Sequence, residues 1–568
     1  MTPDAPAPVA PVPVVDSTGT HRWRPSQVRM TKRRDNAVVP RRGMVAVPAL
    51  ASGVGLALSL PPWGWWILAF PAAGLLWWRL GGLRPRTRLW AGFLAGLGCY
   101  IPGLMWARSF TVPGALVLIA IESLFVAVGC LAVPAGRLLA RALAFPAALT
   151  LAEAARMRWP FGGLPLGGVF LGQAGGPVLG VARLGGPLGL TAAVYVGGVG
   201  VGALGEAAAR AVRDGRRARA FARADSGGAA PQDGGGHVVR AALAGLGTLT
   251  LIGTVALLGV VGIAIIADHA PDGGPSVGTV TVAAVQGGGA RGFRKSQIDP
   301  AVVLAAQMKE TRLLERPGAI APRLVLWPED VVALDTPLAD SPEQSVLSGL
   351  ARTLDSTLVV GVTETVSSTA FRNEVVAWGP DGTLVSRYEK VHRVPFGEYV
   401  PYRSFFSHLA NLSAVPLDAV PGTGTGLLPT PAAPLGAMIS YEVFYADRGR
   451  SPVRAGAQLL IVPTNTSSYA TAQVPTQEVA ASTVQAGQQG RDLLQAAPTG
   501  YTAAITNRGV LLDRSVLGAP QLVFADLSRR VGWTVYVRYG DEPPLVLAAL
   551  VLVAGWYLAG LRRPTAGA

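Results

Sequence analysis

Apolar runs close to twenty residues long are what most constrains this chain. A helix crossing hydrocarbon needs about 20 mostly apolar residues, because no backbone polar group can be left unpaired there. Such runs fall at 44–60, 64–80, 89–107, 112–136, 142–157, 185–207, 241–266 and 544–561. The first two flank Pro61-Pro62-Trp63-Gly64 and are short enough to form one re-entrant hairpin instead. The fifth carries Glu153 and Arg156 near its end, where an interfacial, solvated carboxylate is the simplest reading of Glu153.

Lys and Arg in short loops orient such a chain. With the N-terminus inside, segments 1–43, 79–88, 137–141, 210–240 and the C-terminal tail hold 23 basic residues. The short loops on the other side hold only Arg108, Arg156, Arg158 and Arg183. This predicts about eight spans with both termini in the cytoplasm. Segments 1–43 and 211–238 then read as disordered or flexible basic cytoplasmic stretches, and 562–568 as a short cytoplasmic tail. The net charge of +15 gathers beside apolar runs, so it implies membrane lipid and not nucleic acid as the partner. No zinc-finger spacing or other nucleic-acid signature accompanies it.

The orientation leaves 267–543 outside the cytoplasm, too long and too polar for a loop. Its pattern is different. Short β-branched runs at 277–286, 322–329, 356–364, 373–390, 435–440, 457–464 and 492–512 alternate with helix-like stretches at 299–316, 342–353 and 474–490. Pro380-Asp381-Gly382 and Asn507-Arg508-Gly509 read as hairpin turns. The expectation is a layered α/β domain with a mixed sheet, some strands buried on both faces. The domain layout is thus 44–266 transmembrane, 267–543 extracytoplasmic, and 544–561 a last transmembrane helix.

The only cysteines, Cys99 and Cys130, lie in apolar runs, and the five histidines are scattered. Neither a disulfide framework nor a metal spacing results, and no cofactor is expected. Chemistry must come from polar residues at strand ends, where α/β scaffolds commonly place it. Glu329 closes LVLWPE, Lys390 and Glu398 lie in RYEKVHRVPFGEYVP, and Ser440, Tyr441 and Glu442 end LGAMISYE. Only four of the 49 basic residues are lysines. Lys390 in a chain so rich in arginine suggests a need for a compact ammonium.

These blocks carry a resemblance. WPE at 327–329, EK at 389–390 with VPFGEYVP after it, and SYE at 440–442 resemble the catalytic blocks of the nitrilase, or carbon-nitrogen hydrolase, superfamily. The eight apolar runs, VPFGEYVP and the segment RMRWPFGGLPLGGVFLGQ (156–173) narrow it to the membrane branch, the apolipoprotein N-acyltransferases. The resemblance implies an α-β-β-α sandwich on a polytopic bundle in the bacterial plasma membrane. It implies acyl transfer from a phospholipid donor to the N-terminal diacylglyceryl-cysteine of apolipoproteins through an acyl-enzyme. Glu329 would be the general base, Lys390 the oxyanion stabiliser, and Glu398, Tyr441 and Glu442 would support the site. Phe396, Tyr402, Phe405 and Phe406 would form an apolar lid for acyl chains or ordinary core.

The departure is Ser440, which stands where the family has its nucleophilic cysteine. IVPTNTSSYA (461–470) and the Gln-rich stretch 479–501 also depart from the family pattern. Three readings stay open. Ser440 is a slow nucleophile, or an engineered trap, or it marks a non-catalytic homologue that binds lipoproteins or a partner enzyme at the membrane.

Overall fold

The computed structural model describes residues 43–224, 235–292, 297–408, 412 and 415–561. The expectations for 1–42, for the 225–234 part of the cytoplasmic loop and for the tail 562–568 fall outside the described residues.

Each apolar run of the first half is helical. The elements are α1 (Gly43–Ser59), α2 (Ala69–Leu80), α3 (Pro85–Gly103), α4 (Val112–Ala132), α5 (Leu138–Arg156), α6 (Ala182–Ala224) and α7 (Gly235–Asp268). By length and composition, four segments here can cross a membrane: Val112–Ala132, Leu138–Arg156, Leu179–Arg217 and Leu243–Asp268. A fifth, Glu542–Gly560, ends the described chain. Against an expectation of about eight spans, five helices among the described residues satisfy these criteria. The first two runs form two separate helices of 17 and 12 residues, shorter than a perpendicular span requires. The third opens on Pro85-Arg86-Thr87-Arg88, which dilutes its apolar character.

The helices approach closely through small residues, as apolar surroundings demand. A Cβ on Gly53 of α1 would run into the Ala95 carbonyl of α3, and one on Gly74 of α2 into the Gly198 carbonyl of α6. Helix α6 is broken at Gly185-Gly186, where Gly186 takes φ +58° beneath the Tyr536 ring.

From Thr279 the chain alternates strands and helices. It runs β1 (Thr279–Gln286), α8 (Pro300–Thr311), β2 (Leu324–Leu326), β3 (Val332–Leu334), α9 (Pro342–Leu354), β4 (Thr357–Ser367), β5 (Ala370–Trp378) and β6 (Leu384–Glu389). Then come α10 (Arg403–Phe406), β7 (Asp418–Ala419), β8 (Leu427–Leu428), β9 (Leu435–Ala437), α11 (Ala446–Arg454), β10 (Leu459–Pro463) and α12 (Gln473–Gln489). Strands β11 (Leu493–Ala496), β12 (Ala503–Ile505), β13 (Leu511–Arg514) and β14 (Gln521–Ser528) precede α13 (Val535–Tyr539) and α14 (Glu542–Gly560).

Two mixed sheets result. One is ordered β14-β1-β2-β4-β5-β6, with β3 on β4 and β7 on β5; the other is β13-β12-β11-β10-β9-β8. Strands β1, β2 and β4 are parallel, as are β9, β10 and β11. Period-two alternation explains the doubly apolar runs. Val282, Leu324, Leu326, Val359 and Val375 pack inward against Leu435, Ile439, Ile461 and Leu494 of the other sheet. Their neighbours Val325, Trp327, Val360 and Val376 point outward to Leu347, Leu350 and Leu354 of α9. Residues of α11 and α12 cover the second sheet and share one continuous core with the helical bundle. The layers are helix, sheet, sheet, helix.

Strand β14 escaped the sequence reading. It is an edge strand pairing antiparallel with β1, and only Val523 and Leu527 of QLVFADLS are buried. Its pattern is too weak to stand out from a loop.

Candidate active site

The residues singled out at strand ends lie 61 positions apart in the case of Glu329 and Lys390, yet they meet. Glu329 follows β2, and Gly361 of β4 makes room for it: a Cβ there would collide with the Pro328–Glu329 backbone. Lys390 follows β6 and is 2% exposed. Its Nζ donates to Glu329 Oε1 at 2.8 Å and to Glu398 Oε1 at 2.6 Å. Asn373 of β5 donates from Nδ2 to the same two oxygens, at 2.8 and 3.2 Å. Burial pushes the Glu329 carboxyl up, with Lys390 pulling against it. Burial also works against the ammonium, but Glu329 and Glu398 overcome it and hold the Lys390 amine well above its ordinary value. The amine is thus a fixed positive charge, suited to an oxyanion and unsuited to giving up protons.

Ser440 begins the turn after β9 at φ +49°, a left-handed conformation that costs energy in a non-glycine residue. Such a bend turns a short side chain out of a strand end, the arrangement of a nucleophile on a sharp strand-to-helix turn. The Thr464 hydroxyl, at the end of β10, lies 3.2 Å from Ser440 Oγ. It also hydrogen-bonds Glu478 Oε1 of α12.

Glu442 is wholly buried and works as a brace. Its carboxylate accepts from Val391 N, His392 N and Ile439 N at 2.8, 3.0 and 2.9 Å, and from the Tyr388 hydroxyl at 2.9 Å. It ties the backbone after Lys390 to the strand before Ser440. Among the described residues only Glu398 of the expected supporting carboxylates touches the ammonium directly. Burial pushes the Glu442 carboxyl up, opposed by those backbone donors. Tyr441 points away from the sheets: its hydroxyl, with that of Tyr445, donates to Gly163 O, at 3.0 and 2.9 Å. It anchors the Ser440 turn to the helical bundle.

The four aromatics at 396–406 are not core. Phe396, Tyr402 and Phe405 are 44, 75 and 61% exposed. Phe161, from the loop after α5, joins Phe396, Tyr402 and Phe406 in edge contacts at 5.8, 6.2 and 6.5 Å. A second group, Trp106, Phe110 and Tyr469, forms at 5.5 to 6.2 Å.

Glu153 requires a correction. It is buried, not solvated: Arg156 pairs with it at 2.7 Å and with Glu122 at 3.0 Å. The same guanidinium donates to the carbonyls of Leu164, Pro165 and Leu166, so it clamps the loop that presents Gly163. The glutamines of α12 also acquire a reason. Gln477 accepts from Gly167 N at 3.0 Å and donates to Gly103 O at 3.1 Å; Gln473 accepts from Trp106 N and donates to Pro102 O. They satisfy backbone groups at the bundle's ends.

Sequence reasoning missed Asn373, Thr464 and Glu478. One signal was available: Glu478 is the sole carboxylate in a helix reading QVPTQEVAASTVQAGQQ.

Comparison with known families agrees with this architecture. Residues 52–200 match the family described as the apolipoprotein N-acyltransferase N-terminal domain. Residues 281–530 match the carbon-nitrogen hydrolase family, so the helical region is followed by a nitrilase-like α/β domain. An amidase structure from Nesterenkonia sp. aligns with a TM-score of 0.35 and 19% identity, covering 48% of this chain and 97% of the amidase. The apolipoprotein N-acyltransferase of Azotobacter vinelandii is 29% identical over 556 residues, 91% of this chain and 94% of the relative. That of Mycolicibacterium smegmatis is 30% identical over 523 residues, 89% of this chain and 83% of the relative. On that extent of similarity the chain belongs to the apolipoprotein N-acyltransferase family.

Proposed function

We propose that this protein transfers an acyl chain from a membrane phospholipid to the α-amino group of a diacylglyceryl-cysteine at a lipoprotein's N-terminus. The observation that carries the reading is the buried Glu329–Lys390–Glu398 cluster that the fold assembles from strand ends. Ser440 Oγ attacks the phospholipid ester, the lysophospholipid leaves with a proton, and an oxyester acyl-enzyme remains. The lipoprotein amine then displaces Ser440, forming the amide. Lys390 stabilises the oxyanion in both halves, and Glu329 is the general base that takes the amine proton and passes it to the departing serine oxygen. The exposed aromatics around Phe161 receive acyl chains between the bundle and the site. The loop charges favour a bacterial plasma membrane with 267–543 outside the cytoplasm.

The second reading, a lipoprotein-binding homologue without catalysis, rests on Ser440, because a hydroxyl is a far weaker acid than a thiol. Incubating the full-length protein with phospholipid and a diacylglyceryl lipopeptide separates the two. The expected result is a mass gain of one acyl chain on the lipopeptide, lost in Glu329→Ala and in Ser440→Ala. Transfer only by Ser440→Cys would mean that the serine is an off-switch. No transfer by either form would leave the binding reading.

A further inference from the structure

Serine in place of cysteine poses a chemical problem: its proton needs a better base than a thiol requires. Glu329 is poorly placed for that extra demand. Its Oε1 is already engaged by the Lys390 ammonium and by Asn373, at 2.8 Å each. An oxygen that already accepts from two donors must give one of them up before it can take the Ser440 proton.

Ser440 has a different carboxylate, Glu478, within reach of one intervening group. Thr464 Oγ1 is placed to donate to Ser440 Oγ at 3.2 Å and to Glu478 Oε1. Its single proton can serve one of them at a time, so a Thr464 proton held by Glu478 leaves the oxygen open to the serine hydroxyl. Thr464 is fully buried and Glu478 is 1% exposed. The Glu478 side chain has no ion-pair partner among the described residues, and its Oε2 has no hydrogen-bond partner there. A buried carboxylate with one hydroxyl contact and an idle oxygen is costly as structure alone.

We propose that Thr464 and Glu478 form a relay that takes the Ser440 proton when the hydroxyl attacks the acyl donor. This rests on the acyltransferase reading and assigns the first proton transfer to a path separate from Glu329. The Ser440 Oγ–acyl carbon bond forms as the Ser440 proton moves to Thr464 Oγ1 and the Thr464 proton moves to Glu478. The ester C–O bond then breaks, and the reverse transfer delivers one proton to the departing lysophospholipid oxygen. The carboxylate ends ionised, as it began. In this scheme Thr464 touches the reacting atom and Glu478 acts through it.

The relay has a direction that depends on pH. A protonated Glu478 donates to Thr464, which then donates to Ser440, and the serine proton has no base. An ionised Glu478 accepts from Thr464, which frees Thr464 Oγ1 to accept from Ser440. Burial pushes the Glu478 carboxyl up to about 8; the Thr464 hydrogen bond and Lys390 oppose this, and Glu329 adds to it. Tyr469 is the other titratable group that feels this carboxylate. Since the ionised form is the working one, Ser440 reactivity rises as pH climbs through that value and levels off above it.

The test is the rate at which a fluorophosphonate, a serine-directed electrophile, labels Ser440 in the full-length protein, followed by peptide mass spectrometry across pH. Glu478→Gln keeps a hydrogen bond to Thr464 but is no base, so labelling should fall about 100-fold and lose its rise near that pH. Thr464→Val should match it, the double variant should be no slower than either single one, and Thr464→Ser should recover most of the loss. In a Ser440→Cys background, alkylated with iodoacetamide, Glu478→Gln should change the rate little, because a thiol ionises without such help. Equal losses in the two backgrounds would reveal a structural role and overturn the relay, as would labelling indifferent to Glu478 or no labelling at all. Labelling that depends on Glu478 without transfer to lipopeptide would overturn the acyltransferase reading alone.

Discussion

At the scale of single residues, the choice between lysine and arginine at 390 is decided by space. The Nζ sits 2.8 Å from Glu329 and 2.6 Å from Glu398, inside a site closed to solvent. A planar guanidinium carries its charge on a wider fork and cannot occupy that point without pushing the two carboxylates apart. Lys390→Arg should therefore cost about 10²–10³-fold in acyl transfer despite keeping the charge. Acyl loading of Ser440 measured in the absence of lipopeptide checks this, and a variant within a few-fold of the parent would show that charge alone suffices. The rarity of lysine in the sequence pointed to this residue. Of the neighbours that define its chemistry, Glu398 was legible from the VPFGEYVP block, whereas Asn373 is a polar strand residue of ordinary appearance until folding brings it to Glu329 and Glu398.

Among the elements, α12 carries the most weight per residue. It is polar in composition yet nearly every described side chain in it is buried. One face supports the second sheet, and the amides at 473 and 477 bond the ends of α3 and the loop before α6. Replacing Gln477 by Leu keeps the bulk but strands Gly167 N and Gly103 O in a buried interface. The expected cost is about 1–3 kcal/mol, read as a lowered thermal unfolding midpoint in detergent. An unchanged midpoint would mean that water or another group satisfies both. The same element shows the limit of pattern reading: a glutamine-rich helix looks solvated, and only its partners reveal that it is an interface.

For the whole molecule, the joint between bundle and sandwich is the loop at 157–168. Arg156 grips its carbonyls from below while Tyr441 and Tyr445 bond Gly163 from above. Arg156→Ala would leave Glu122 and Glu153 buried without their cation, a change worth about 3–5 kcal/mol. It should lower the unfolding midpoint and, well below that midpoint, slow acyl transfer, because the turn that carries Ser440 loses its footing. A destabilised variant with undiminished transfer would show that the loop holds its shape without the clamp.

What the sequence by itself determined follows from local and periodic rules. Runs of apolar residues become helices because lipid-compatible backbone must bond within itself, and the doubly apolar strands LVVGV and LLIVP must be covered on both faces. Strand ends carrying Glu329, Lys390 and Ser440 were legible for the same reason: a polar residue closing a buried run is conspicuous. The tertiary structure alone decided which carboxylate meets which cation, that Glu442 braces backbone while Glu398 touches Lys390, and that Glu153 is buried. It also set Thr464 and Glu478 beside Ser440. Most of these contacts join segments from 14 to 61 residues apart, and no rule of spacing reaches across such distances. Only the packing of two sheets on one another and on the bundle does.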